Sequence, residues 1–421
     1  MLIKGGRIVD PRSGIDEVRD IYIADGVVKP IPIDKDGCRV FDATGMVVVP
    51  GLVDLHVHFR EPGAEYKEDI TTGSRAAARG GFTTVCCMPN TIPAIDNKEM
   101  VRFVAKRGKE AGLVNLLVVG ALSKGQEGKE LSDFEGMLQS GICALSDDGK
   151  TLMDYDVMRR AAERAKELGL LISDHAENHA ASAGGAINDG DVSRKLGVRG
   201  IPNSAEADIV ARDIELARET GCHIHLQHIS TKESVALIRK AKKQGLPITA
   251  ETAPHYFILT DEAVLANGAN AKMNPPLRTE VDRQAIIEGL CDGTFDAIAT
   301  DHAPHSAEEK ARPIDQAPFG IVGLETAFAL SYTTLVMPGH ITLPELIKLM
   351  SVNPADILNL KCGGLAIGDT ADLAVFDISS PYTIDSETFA SKGKNMPFNG
   401  IKVYGRTVLT VCGGKTSWNQ K

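Results

Sequence analysis

Residues 51–63 read GLVDLHVHFREPG, and this stretch decides how the rest of the chain is taken. It starts as a buried strand, with Leu52, Val53, Leu55 and Val57 apolar, and sets His56, His58 and Arg60 at every second position. Strand side chains alternate faces with a period of two, so the two imidazoles and the guanidinium are predicted to share a face. Burying such groups costs free energy unless something pairs with them. The stretch therefore asks what they meet.

Working outward, seven further apolar runs have strand texture: FTTVCCM (82–88), VNLLVVGAL (114–122), GICALSD (141–147), LLISDHA (170–176), CHIHLQHI (222–229), LPITAET (246–252) and DAIATD (296–301). Between most of them lie helical patterns such as DVMRRAAERAKELG (156–169) and EADIVARDIELARETG (206–221), with apolar residues three and four apart. With GLVDLHVH (51–58) this makes eight strand–helix alternations, which predict an α/β fold of the (β/α)8 TIM-barrel type over residues 51–362. The alternative, a doubly wound open sheet, favours a Gly-rich phosphate turn after its first strand, and this sequence has none there. Both chain ends read as short strands and turns, LIKGGRIVD and CRVFDATGMVVV at one and GDTADLAVFDI and GIKVYGRTVLTVCGG at the other. They predict a small β-sandwich domain composed of residues 1–50 and 363–421. The polar stretch HSAEEKARPIDQAPFG (305–320) reads as a long active-site loop.

Composition narrows the function. The chain has 421 residues, 43% hydrophobic and 24% charged, as expected of a soluble globular protein. A net charge of −10 argues against a general nucleic-acid surface, yet leaves room for a small anion held by a few local cations. The N-terminal MLIKGGRIVD lacks a signal-peptide core, and no run reaches the roughly 18 apolar residues of a membrane span. The eight cysteines form no C-x-x-C pair and lie scattered in apolar runs, the pattern of reduced thiols. A cytoplasmic enzyme is expected, although a binding protein would share this composition.

In a barrel of this type the strand C-terminal ends face the active site. Those ends carry His56 and His58, then Asp147-Asp148, His175, His228 and Asp301. Each has a bland reading: a structural His-x-His, an Asp-Asp-Gly turn, satisfied core histidines. Together, at one end of separate strands, they predict a centre for zinc or a similar borderline divalent ion. Strand alternation separates Asp147 from Asp148, and the sequence leaves open which faces inward. His255 and His302 read as structural.

The motifs HVHFREPG, TTVCCMPNT, ALSDDG, SDHAEN, LQHIS, ETAPHY, MNPPLR and ATDHAPH occur in an order that resembles the dihydroorotase family of the amidohydrolase superfamily, over nearly the whole chain. The resemblance implies His56, His58 and Asp301 on one metal ion and His175 and His228 on a second, up to two zinc ions per chain. Many superfamily members bridge the metals with a carboxylated lysine; ALSDDG has no lysine at that spot and is similar to the branch where an aspartate bridges, here Asp148. The implied reaction is the reversible cyclisation of N-carbamoyl-L-aspartate to L-dihydroorotate in pyrimidine (UMP) biosynthesis. A hydroxide shared by the metals would attack, and Asp301 would serve as general base and acid.

The substrate carboxylate needs a partner, and Arg60 offers a planar fork of donors. The resemblance adds His58, Asn90, Asn274, His305 and the backbone at Phe319 and Gly320 as substrate contacts. It also implies a homo-oligomer, expected as a dimer, and aspartate transcarbamoylase as a partner. Allantoinase and dihydropyrimidinase are rival activities, but their uncharged rings have less use for Arg60. A non-catalytic scaffold for the transcarbamoylase would have no need to keep the ligand set.

Overall fold

Strand Val47–Pro50 of one sheet runs into strand Leu52–Val57 of another with only Gly51 between them. A Cβ at Gly51 would lie 2.1 Å from the Thr83 hydroxyl oxygen, so this junction admits no side chain. The structure is a computed structural model that describes residues 1–33 and 37–420.

Leu52–Val57 is the first of eight strands, followed by Phe82–Cys87, Asn115–Gly120, Ile142–Leu145, Ile172–Asp174, Ile224–Leu226, Ile248–Thr252 and Ala297–Ile298. They pair in sequence order, all parallel. The barrel closes through a parallel bridge between Val57 and His302, where His58 N–H donates to the His302 carbonyl at 2.9 Å. Each strand lies within a run predicted from the sequence.

The connecting helices follow local rules. Tyr155–Leu168 starts where the Asp154 carboxylate accepts from the Val157 amide at 3.0 Å, and it ends at Gly169. Its buried face is Val157, Met158, Ala161, Ala162 and Ala165, one stripe at helical spacing. These side chains join Val85, Val118, Ile172 and Leu226 from the strands in a core between barrel and helices. Inside the barrel, Leu55, Cys86, Val119, Ala144, Leu171 and Ala297 pack with Ile357 as an apolar plug. No helix among the described residues is long and apolar enough to cross a membrane.

The chain ends meet in a second eight-stranded sheet, in which Val47–Pro50 pairs antiparallel with Leu373–Asp377. Both of its faces are buried. Val47, Val49, Ala374 and Phe376 enter the core shared with the barrel helices. The alternate residues Val48, Leu373 and Val375 pack with Ile3 and Ile8 in a separate core. This terminal sheet, with apolar side chains buried on both faces, is consistent with the β domain expected from the two chain ends.

Phe376 is fully buried and stacks on Phe328 with ring centroids 3.6 Å apart, tying sheet to barrel. Phe376→Ala is expected to lower the unfolding free energy by about 3–5 kcal/mol, read as an earlier midpoint in urea.

Candidate active site

The first barrel strand brings His56 and His58 to the rim with their Nε2 atoms 3.2 Å apart. His56 Nε2 lies 3.3 Å from Asp148 Oδ1, and His58 Nε2 lies 3.6 Å from Asp148 Oδ2 and 3.1 Å from Asp301 Oδ1. On the far side of Asp148, His175 Nδ1 and His228 Nε2 are 2.9 Å apart and stand 3.7 and 3.9 Å from Oδ1. Asp148 therefore belongs to two possible ligand triads, one with His56 and His58 and one with His175 and His228. These six residues are each at most 6% exposed.

The alternation left open at residues 147 and 148 resolves plainly. Asp147 accepts from the backbone amides of Leu122 and Ser123, at 2.9 and 3.1 Å, and from the Ser123 hydroxyl. It ties one rim loop to another, while Asp148 enters the cluster.

The groups of this cluster shift one another's titration strongly. Burial opposes charge on His56, yet Asp148, Glu251 and Asp301 raise its pKa well above the ordinary value. Burial likewise opposes charge on His175, which Glu177 and Asp148 nonetheless raise to about 9. Asp148 and Asp301 are held below the usual carboxylate range despite burial, Asp148 chiefly by His56 and His228 and Asp301 by His58 and His56. Imidazole nitrogens and carboxylate oxygens this close, shielded from water, form a donor set that fits divalent metal.

Comparison with known proteins places this chain in a family. A Dihydro-orotase-like family profile matches residues 45–234. The dihydroorotase of Geobacter metallireducens is 48% identical over 423 residues, 100% of each chain. That of Ruminiclostridium cellulolyticum is 48% identical over 98% of this chain and 97% of its own. The chain belongs to the dihydroorotase family. Its members are cyclic amidohydrolases, and so is this enzyme. Among solved structures, an L-hydantoinase (dihydropyrimidinase) from Arthrobacter aurescens superimposes with a TM-score of 0.88 at 26% identity, covering 100% of this chain and 96% of that one. The eight-stranded barrel with its terminal sheet is thus the amidohydrolase (β/α)8 fold.

In this dihydroorotase-family chain the cluster opens into a cavity of about 180 Å³ lined by His58, Arg60, Asn90, Asp148, His175, His228, Asn274, Asp301, Phe319 and Gly320. Arg60 arrives by a different route from the one its spacing predicted. The strand ends at Val57, and a φ of +60° at Arg60 turns the chain back toward the rim. Asp301 and His228 also have positive φ, +46° and +33°. Such backbone costs of order 1–3 kcal/mol per non-glycine residue and concentrates at functional sites.

Asn90 and Asn274 line the cavity and also bind the cluster. The Asn90 amide donates to Asp148 Oδ2 at 2.9 Å, and its Oδ1 faces His58 Nδ1 at 2.9 Å. Asn274 donates to Glu177 Oε2 at 3.0 Å, and Glu177 faces His175 Nε2 at 3.1 Å. His305 sits one layer back, donating from Nε2 to the Phe319 carbonyl at 2.7 Å, with Arg60 Nη2 at 3.4 Å from the same nitrogen. His255 stacks against Tyr256, and His302 lies 3.4 Å from Glu68; neither enters the cluster.

Sequence reasoning missed Glu251 and Glu177. Glu251 is fully buried, with Oε1 3.2 Å from His56 Nδ1 and Oε2 3.1 Å from His225 Nε2. Despite burial, those two rings hold it at about 2. A carboxylate behind a ligand-type histidine sets which ring nitrogen carries the proton and turns the other toward the site. The available signal was an acid inside the apolar strand LPITAET.

Proposed function

We propose that the chain catalyses the dihydroorotase reaction, the reversible cyclisation of N-carbamoyl-L-aspartate to L-dihydroorotate and water in pyrimidine (UMP) biosynthesis. Arg60 carries this reading. Among the described residues no carboxylate lies within ion-pair distance of it, and its nearest polar partners are the Pro304 carbonyl and His305. A guanidinium beside the cavity without a counter-anion calls for an anionic substrate. Dihydroorotate keeps a carboxylate remote from the scissile bond, whereas simple hydantoin rings have none.

In this reading His56, His58 and Asp301 would hold one zinc ion and His175 and His228 a second, with Asp148 as a ligand available to both. Bound there, such ions would supply Lewis acidity and lower the pKa of water. Asp301 accepts the proton of the water that attacks the ring amide carbonyl, then delivers it to the leaving ring nitrogen as the C–N bond breaks. The low pKa of Asp301 keeps its carboxylate ready as a base at neutral pH. Arg60 grips the substrate carboxylate, with Asn90, Asn274, His58 and the Phe319–Gly320 backbone completing the wall and His305 steadying Arg60 and Phe319. Eight free cysteines accord with a cytoplasmic setting. A dimer and aspartate transcarbamoylase as partner are carried over from the family resemblance.

The test is ring closure of N-carbamoyl-L-aspartate by purified, zinc-loaded protein, set against ring opening of 5-substituted hydantoins. Arg60→Ala is expected to raise KM for N-carbamoyl-L-aspartate about 10–100-fold, the worth of a charged hydrogen-bonded pair. Turnover of hydantoins without turnover of N-carbamoyl-L-aspartate would replace this reading with a hydantoinase.

A further inference from the structure

Two buried lysines have no part in the reading above. Lys272 is 3% exposed and Lys310 8%, yet neither has a carboxylate within ion-pair distance among the described residues. Every hydrogen-bond acceptor they have is a backbone carbonyl. Lys272 Nζ donates to Ile314 and Ala317, each at 2.6 Å, and lies 4.3 Å from the centre of the Phe319 ring. Lys310 Nζ donates to Lys272 at 3.2 Å, Pro318 at 3.0 Å and Gly320 at 2.8 Å. Burying a cation without a counter-anion is costly, and a loop needing only packing would carry leucine or methionine there.

The pattern of acceptors shows what these bonds do. Four successive carbonyls, from Ala317 to Gly320, are each taken by Lys272, Lys310 or His305. None of those donors lines the cavity, whereas Phe319 and Gly320 do. Pro318 has no N–H, and the Phe319 N–H has no acceptor among the described residues. Gly320 has φ +125°, and a Cβ there would lie 2.6 Å from Ala303 Cβ, so the segment is pressed against the eighth-strand end.

We propose that Lys272 and Lys310 are positioning residues, clasping the carbonyls of Ile314, Ala317, Pro318 and Gly320 so that this wall of the cavity offers an amide donor to an anionic substrate. The clasp stands on its own geometry; its consequence for substrate binding rests on the dihydroorotase reading. A lysine ammonium suits the task because its three N–H bonds reach several carbonyls at once.

Hydrogen exchange on the intact, zinc-loaded protein, together with steady-state kinetics, tests this. In Lys310→Met, amides of residues 314–320 are expected to exchange about tenfold faster or more, with faster exchange confined to that segment. KM for N-carbamoyl-L-aspartate is expected to rise about tenfold, with kcat changed by less than about threefold and zinc content unchanged. Lys272→Met should act in the same direction, and the double variant less than additively, since both side chains hold one loop. Should Lys310→Met fail to fold, Lys272→Met alone carries the test. Unchanged exchange overturns the clasp whatever the substrate. Faster exchange with unchanged KM overturns the positioning role, while turnover by the unsubstituted protein still judges the dihydroorotase reading separately.

Discussion

Asp301→Asn is expected to lower turnover in both directions by about three orders of magnitude, within the range for loss of a general acid–base group. The change is nearly isosteric. The aspartate Oδ1 lies 3.1 Å from His58 Nε2, and an amide oxygen can occupy that place. What the amide cannot do is accept a proton from water and return it to nitrogen. In the parent chain His58 and His56 hold this carboxylate ionised against its burial, so its base form is fully populated at neutral pH. The comparison needs kcat for ring closure and ring opening, with zinc content and circular dichroism as controls. Turnover near that of the parent would move the proton-carrying role to another residue.

Asp148→Asn should have an effect of at least similar size, by another route. Asp148 is the member common to both triads, so neutralising it strips each of its shared anion. Changes to groups that merely support a ligand weaken metal binding about 10–100-fold, and loss of a ligand should exceed that. Zinc content is expected to fall from two ions per chain to fewer than one at micromolar zinc, with activity reduced by about a thousandfold or more. Asp147→Asn is the internal control. Its carboxylate caps the Leu122 and Ser123 amides outside the cluster, so the expected result is about 1–3 kcal/mol of lost stability with zinc content intact. Equal metal loss in both variants would refute the assignment of Asp148 as the shared ligand.

Much of the site was legible because it obeys two short-range regularities. Apolar runs with helical intervals placed eight strands, and barrel architecture sends their C-terminal ends to one rim. His56, His58, His175, His228 and Asp301 follow from those rules without knowledge of any contact. Arg60 shows where the rules stop: its spacing suggested a pleat neighbour of His58, yet a left-handed turn beyond Val57 brings it to the cavity. The His305 reading shows the same limit. The resemblance implied a substrate contact, whereas the structure sets His305 against Arg60 and Phe319, outside the residues that line the cavity.

By itself, the sequence determined the order of strands and helices in the barrel and which residue types crowd the rim. Strand alternation could not choose between Asp147 and Asp148, a choice only the family resemblance favoured; tertiary structure brings Asp148 into the cluster, because that depends on where the fourth strand ends and which loop captures the leftover acid. It alone disclosed Glu251, which meets His56 across 195 residues of chain. It alone showed two buried lysines whose amino groups bond only to backbone carbonyls around one loop. Periodicity is a property of neighbours along the chain. The partner of a buried charge is chosen by whichever group the fold brings within about 3 Å, and no local pattern encodes that choice.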